Sequence, residues 1–438
     1  MHAIEIQTGA PLSGSARVPG SKSIAQRWLL AAACAQGRTR IRALPAGEDV
    51  AAASRLIAVA GARVRALAPA ALAIDGLPPG PHRGWHSEAE LELGESGTLA
   101  RLATAIGGLC GRSGRSLGYG ARGSLRARRS PPLFASLRAA GVRIEHLGSA
   151  DGWPLRLWPI GPPSSLELVH PISSQEWSAL ALALAGWPDE TELVCTGVLP
   201  SQPYARLTVR ALHEFGANVT IEGERCRLRG PLRAPAEPLC VEPDASAAAV
   251  ALAAALASGG SIEVEGLGED SCQGDLAILE HLRALGGECT RERRSLRAWG
   301  RVRRAVELDL SDTPDLAPVL AGLAAVHAWE GGEASRFTGL GTLPRKESSR
   351  IAVLAEGFTA AGLATRQGPD WLEVGPRRAA STELVSLDPH GDHRMAFAFA
   401  LLGLARGQVL ISGPDCVAKS WPGFFEELRR LGARLSTR

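Results

Sequence analysis

Lysine is nearly missing from this chain: Lys22, Lys346 and Lys419 are the three lysines among 48 Lys and Arg residues. An exposed positive charge works about as well on either side chain, so the excess of arginine says little. Lysine is kept where a compact ammonium that can shift its pKa is wanted, a task a guanidinium fork does not share. The three sit in Pro19-Gly20-Ser21-Lys22-Ser23, in Arg345-Lys346-Glu347-Ser348-Ser349-Arg350 and in Ala418-Lys419-Ser420-Trp421-Pro422. Each marks a place where a loop gives way to an apolar helical run. Three survivors in such settings predict an anionic-substrate site built from distant stretches.

Other absences narrow the function further. The eight cysteines form no CxxC pair, which argues against a structural zinc site or a disulfide scaffold and predicts reduced thiols in a cytoplasm. Apolar stretches such as 247–257 fall short of the roughly 20 residues a membrane span needs. Met1-His2-Ala3-Ile4-Glu5 lacks a charged segment followed by an apolar core, so no secretory signal is expected. A formal charge of +3 and the lack of a basic block interleaved with aromatics speak against a nucleic-acid partner. There is no Gly-x-x-x-x-Gly-Lys-Ser/Thr loop, no Gly-x-Ser-x-Gly elbow and no metal-ligand cluster, so neither a metal nor a cofactor is expected.

What is present is ordered. A chain of 438 residues, 45% hydrophobic and 21% charged, exceeds a single core and predicts two domains. Six apolar helical patterns end in a glycine followed by a short strand pattern, at Gly61, Gly141, Gly216, Gly286, Gly362 and Gly432, spaced 80, 75, 70, 76 and 70 residues apart. Glycine is the usual left-handed terminator of a helix, and six at near-constant intervals predict an internally repeated α/β architecture. Three repeats precede Pro231-Leu232-Arg233-Ala234-Pro235-Ala236-Glu237-Pro238, and three follow it. That proline-rich stretch is the predicted linker between two domains built alike, with a cleft between them.

Several helical patterns open on small hydroxyl residues followed by cations. Gly20-Ser21-Lys22-Ser23 leads into a run carrying Arg27, Gly97-Thr98 into one carrying Arg101, and Ser173-Ser174-Gln175 into Glu176-Trp177. Free N–H groups and the helix dipole make such starts natural anion sites. Ser and Thr are also ordinary caps, but capping favours acids in the first turn, not cations. Lys346 and Arg350 are spaced to share a helix face, with Glu347 as their counter-ion or as a proton carrier. Asp392 and Asp312 are expected as caps, which leaves Asp315 a spare carboxylate in a first turn. The whole reads as a site that binds two small anions and moves protons.

These segments resemble, in order and over nearly the whole chain, the 3-phosphoshikimate 1-carboxyvinyltransferase (EPSP synthase) family of enolpyruvyl transferases. Besides those quoted, the matches include Ser201-Gln202-Pro203-Tyr204, Asp244-Ala245-Ser246, Gln273-Gly274-Asp275, Pro314-Asp315, Asp392-His393-Arg394-Met395-Ala396 and Ala418-Lys419-Ser420. The resemblance implies an α/β fold of two domains, 18–234 and 1–17 plus 235–438, each of three βαβαββ units forming an inverse α/β barrel. It implies transfer of the enolpyruvyl group of phosphoenolpyruvate to the 5-hydroxyl of shikimate 3-phosphate in aromatic amino-acid biosynthesis, by a cytoplasmic monomer closing around its substrates. Shikimate 3-phosphate would be held by Lys22, Ser23, Arg27, Ser173, Ser174, Gln175, Ser201, Tyr204, Asp315 and Lys346. Phosphoenolpyruvate would meet Lys22, Gly97, Arg101, Arg128, Gln175, Arg350, Arg394 and Lys419. Asp315 would take the 5-hydroxyl proton, and Lys22 or Glu347 would protonate the methylene carbon. Gly97 keeps the small residue that leaves room for glyphosate, so inhibition by it is expected.

The chain departs from the family pattern in places. The usual Arg-Pro pair is Arg128-Arg129, which makes Arg126 a second candidate, and Glu95 replaces a common asparagine. The sister enzyme acting on UDP-N-acetylglucosamine is the main rival reading, but its reactive cysteine has no counterpart in Gly118 to Arg129. A non-catalytic phosphometabolite binder would leave Asp315 and Glu347 without a purpose.

Overall fold

The structure, a computed structural model, describes residues 3–80, 83–378 and 383–438. The chain forms two compact units, one of Gly20–Val241 and one of the residues up to Pro19 together with Glu242–Arg438. Among the described residues, six four-stranded sheets share one spatial arrangement. The third repeat shows it whole: strand Ser165–Val169, helix Ser174–Leu184, strand Thr191–Thr196, helix Gln202–Glu214, then strands Asn218–Glu222 and Arg225–Arg229. The first two strands are parallel and joined by a helical crossover; Arg225–Arg229 lies antiparallel to the second, and Asn218–Glu222 lies antiparallel to Arg225–Arg229 at the edge.

Two kinds of helix follow from the sequence. Lys22–Cys34, Gly97–Cys110 and Ser174–Leu184 in one unit, and Ala245–Ser258, Ala317–Trp329 and His393–Arg406 in the other, are apolar on nearly every side and buried along most of their length. A helix without a polar face belongs in an interior. Glu48–Val59 and Gln202–Glu214 instead bury one face only. Strands alternate buried and exposed residues, as in Ser165–Val169. Within each unit the sheets thus lie outside and three helices inside, an inverted barrel. The six predicted helix-ending glycines all take left-handed φ, between 74° and 114°.

Some strands come from far along the chain. Leu239–Cys240 lies parallel to Arg38–Arg42 and completes the first repeat. Ser13–Ser15 pairs with Ser261–Glu265, and Ala3–Gln7 sits between Val409–Ser412 and Arg434–Thr437. The two units divide at 19/20 and 241/242, a few residues from the 17/18 and 234/235 edges that the resemblance implied. The proline-rich stretch is still tied to the first unit, since Ala234 N–H donates to Gln36 O and Leu239 pairs with Ile41. Among the described residues no helix is long and apolar enough to cross a membrane.

Candidate active site

In the Gly20–Val241 unit the chemistry gathers at the starts of the three interior helices. Ser21 precedes the Lys22 helix without capping it, and the Ser21 hydroxyl is buried with no hydrogen-bond partner among the described residues. No acid stands in that first turn. Lys22 Nζ lies 3.0 Å from Asp49. One turn on, Arg27 is buried and donates to neutral acceptors: Thr208 Oγ1 (2.7 Å), Ser23 O (2.9 Å), Tyr204 O (3.1 Å) and Ser178 Oγ (3.4 Å). Desolvation pushes its pKa down to about 10. Ser201, left-handed at φ 53°, opens the helix that carries Tyr204, so Ser23, Arg27, Ser201 and Tyr204 come together.

The Gly97 helix start is crowded by cations. A Cβ on Gly97 would lie 2.7 Å from Arg128 Nη1 and 3.0 Å from Arg101 Nη1, so the bare backbone is what lets both guanidinium groups approach. Arg126, the other candidate, donates to Ala121 O in its own loop. Arg128 is thus the arginine at the Gly97 start. Arg101 donates to Gly97 O and to Gln175 Oε1, both at 3.0 Å, which brings Gln175 and the Ser173-Ser174 turn to the same place. Ser173 caps that helix through Gln175 N–H.

The other unit holds a denser ionic cluster. Asp315 is 3.0 Å from Arg350, 3.2 Å from Arg394 and 3.5 Å from Lys346. Arg350, almost fully buried, also reaches Glu347 and Asp392, each at 2.8 Å. Lys419 Nζ lies 3.4 Å from Glu347. Burial raises the Asp315 pKa, but Arg394, Lys346 and Arg350 outweigh it and hold the carboxyl well below the usual range. Desolvation lowers Lys346 from its ordinary value, opposed by Asp315.

Two expectations are corrected here. Lys346 and Arg350 do not share a helix face: the helix begins at Arg350, and 346–349 is irregular after the short turn Leu343–Arg345. They meet because both reach Asp315. Asp312 is exposed and does not cap this helix; Asp315 lies in a tight turn, Pro314–Leu316, ahead of the helix Ala317–Trp329. Asp392 does cap its helix, accepting from Arg394 N–H.

Asp275 closes the same cluster, accepting from the Ser246 hydroxyl, which in turn accepts from Arg394. Burial, reinforced by Asp315, raises its pKa to about 6. The folded protein then keeps a proton the unfolded chain has lost, so this group's contribution to stability falls as pH rises from about 4 to about 6. Asp275→Asn removes that dependence. The melting temperature of the original chain relative to the variant is expected to drop across that window, as read by calorimetry.

Sequence reasoning missed the carboxylates that balance the cations, Asp49 and Glu176, and took Asp392 for a cap alone. All three stand in or just before a first helical turn, where the dipole favours an acid anyway. Their burial was the missing signal. Among the described residues no group of three His, Cys, Asp or Glu side chains is placed to hold a metal ion.

The family model for EPSP synthase (3-phosphoshikimate 1-carboxyvinyltransferase) matches residues 6–428. The chain belongs to that family, and it is a transferase. Proteins named 3-phosphoshikimate 1-carboxyvinyltransferase from Cellvibrio japonicus and Methanopyrus kandleri are 32% and 33% identical, covering 97% and 99% of this chain and 98% and 99% of theirs. The fold is that of an EPSP synthase structure from Acinetobacter baumannii (TM-score 0.79, 23% identity, both chains covered fully). It is also that of the enolpyruvyl transferase NikO from Streptomyces tendae (TM-score 0.74, 20% identity, covering 100% of this chain and 99% of that one).

Proposed function

We propose that this chain transfers the enolpyruvyl group of phosphoenolpyruvate to the 5-hydroxyl of shikimate 3-phosphate, releasing phosphate, as a cytoplasmic monomer without a cofactor. The observation that carries this reading is Asp315 ringed by Lys346, Arg350 and Arg394 within 3.5 Å. A carboxylate so surrounded stays ionised and is a weak base. Anionic substrates compete for the same cations, and as they take Lys346 and Arg394 the Asp315 carboxylate regains basicity where the hydroxyl proton must go.

In this reading Ser23, Arg27, Ser173, Ser174, Ser201, Tyr204 and Lys346 hold shikimate 3-phosphate. Arg101, Arg128, Gln175, Arg350, Arg394 and Lys419, with the bare backbone at Gly97, serve phosphoenolpyruvate. Guanidinium forks match its carboxylate and phosphate and stabilise the departing phosphate by preorganised charge. The 5-hydroxyl oxygen bonds to carbon 2 of phosphoenolpyruvate while carbon 3 gains a proton from Lys22 or Glu347. The tetrahedral intermediate then returns a proton from its carbon 3 methyl group to that same residue as the bond from carbon 2 to the phosphate oxygen breaks, which releases phosphate and restores the double bond.

The test is phosphate release with both substrates and with each alone. Release that requires both supports the transfer, and glyphosate at millimolar concentration is expected to compete with phosphoenolpyruvate. Binding of shikimate 3-phosphate without turnover would leave a metabolite-binding protein instead.

A further inference from the structure

Glu176 is fully buried, yet it stands in the first turn of the Ser174–Leu184 helix, where an acid ordinarily faces water. Its two oxygens are both engaged. One accepts from the Ser130 hydroxyl at 2.5 Å, and the other accepts from Ile172 N–H at 2.9 Å. Ser130 Oγ accepts in turn from Arg101 Nε at 2.9 Å. The rest of the Arg101 fork is spread over three segments: Gly97 O, Gln175 Oε1 and, at 3.2 Å, Arg129 O. The face of Trp153 lies 5.8 Å from the guanidinium carbon.

A buried carboxylate is costly unless it is paired and hydrogen-bonded. Here its charge is answered by Arg101 through one hydroxyl, and its second oxygen fixes the backbone just before the Ser173-Ser174-Gln175 turn. Arg101 in turn holds the carbonyl of Arg129, next to Arg128. The residue after Arg128 is Arg129, so no proline ring fixes φ in the loop at this point. The Glu176–Ser130–Arg101 chain supplies the restraint by hydrogen bonds.

We propose that Glu176 is a positioning residue for the enolpyruvyl donor: through Ser130 it fixes Arg101, and through Arg101 it sets the relative placement of Gly97, Arg128 and Gln175. This rests on the functional reading above. Glu176 touches no reacting atom, so its loss is felt in the capture of phosphoenolpyruvate and not in the chemical step. Desolvation already lowers the Arg101 pKa to about 10, with Glu176 opposing that shift, in keeping with a guanidinium that depends on this carboxylate.

The experiment is steady-state kinetics of Glu176→Gln and Ser130→Ala at saturating shikimate 3-phosphate. Each variant is expected to raise KM for phosphoenolpyruvate about tenfold with kcat within about threefold, and the double variant is expected to cost little more than either alone. Ser130→Thr, which keeps the hydroxyl, is expected to restore KM. A KM for phosphoenolpyruvate unchanged in Glu176→Gln, with only the melting temperature lowered, overturns the proposal. The Arg101 Nε–H resonance supplies a readout that needs no turnover: protected from exchange in the original chain, it is expected to exchange rapidly in Glu176→Gln. Should the original chain fail to turn over, the functional reading falls, and that resonance still decides whether Glu176 holds Arg101.

Discussion

Asp315→Asn is expected to lower kcat by about two to four orders of magnitude, the usual worth of a positioned general base, while shikimate 3-phosphate still binds. The replacement is isosteric and keeps an acceptor oxygen for Arg350, so the loss belongs to charge and basicity and not to packing. The pH profiles of the original chain carry the sharper expectation. In the free protein Arg394, Lys346 and Arg350 hold Asp315 well below the ordinary carboxylate range, so the acid limb of kcat/KM falls at low pH. With substrates bound, part of that positive charge turns to their anions, and the acid limb of kcat moves upward. Coincident acid limbs in the two profiles would contradict the competition for cations. The same depressed pKa stabilises the fold above the unfolded value, and that contribution is lost as pH falls through the folded one; Asp315→Asn lacks it throughout.

Arg350→Met is expected to be the most destabilising single change in the cluster. Arg350 is 2% exposed and bonds three carboxylates, Asp315, Glu347 and Asp392. Removing it leaves those charges buried with their shared cation gone, and breaking a buried ion pair from one side costs about 3–5 kcal/mol. For a unit of this size that corresponds to roughly 6–20 °C in melting temperature. Arg350→Lys is expected to rescue little, because a single ammonium cannot address three acceptors from one fork. Acid should narrow the gap between variant and original, since the carboxylates that lost Arg350 can then take up protons. A gap that widens with acid would mean that packing around the side chain, and not charge, sets the loss.

Much of the architecture was legible because it is written in local chemistry. Six glycines forced into left-handed turns mark six repeats. Strand borrowing was harder to see. Leu239–Cys240 is two residues long and follows a run of prolines, and its place is set by Arg38–Arg42, some 200 residues earlier. In the ionic clusters the cations stood out because lysine and arginine are out of place at helix starts. Their partners did not, since Asp49, Glu176 and Asp392 sit where any helix welcomes an acid. The spacing of Lys346 and Arg350 suggested a common helix face, whereas an irregular turn brings them together at Asp315. Sequence separation along a helix says nothing about a chain that is not helical there.

The strand Ala3–Gln7 has a consequence for how the protein is made. It leaves the ribosome about 400 residues ahead of Val409–Ser412 and Arg434–Thr437, the strands that flank it. At about 5–20 residues per second that is a wait of roughly 20–80 s with its edges unpaired. This strand thus finds its neighbours only after the rest of its unit has been made, and until then the nascent chain carries an open β-edge, a target for chaperones or for aggregation.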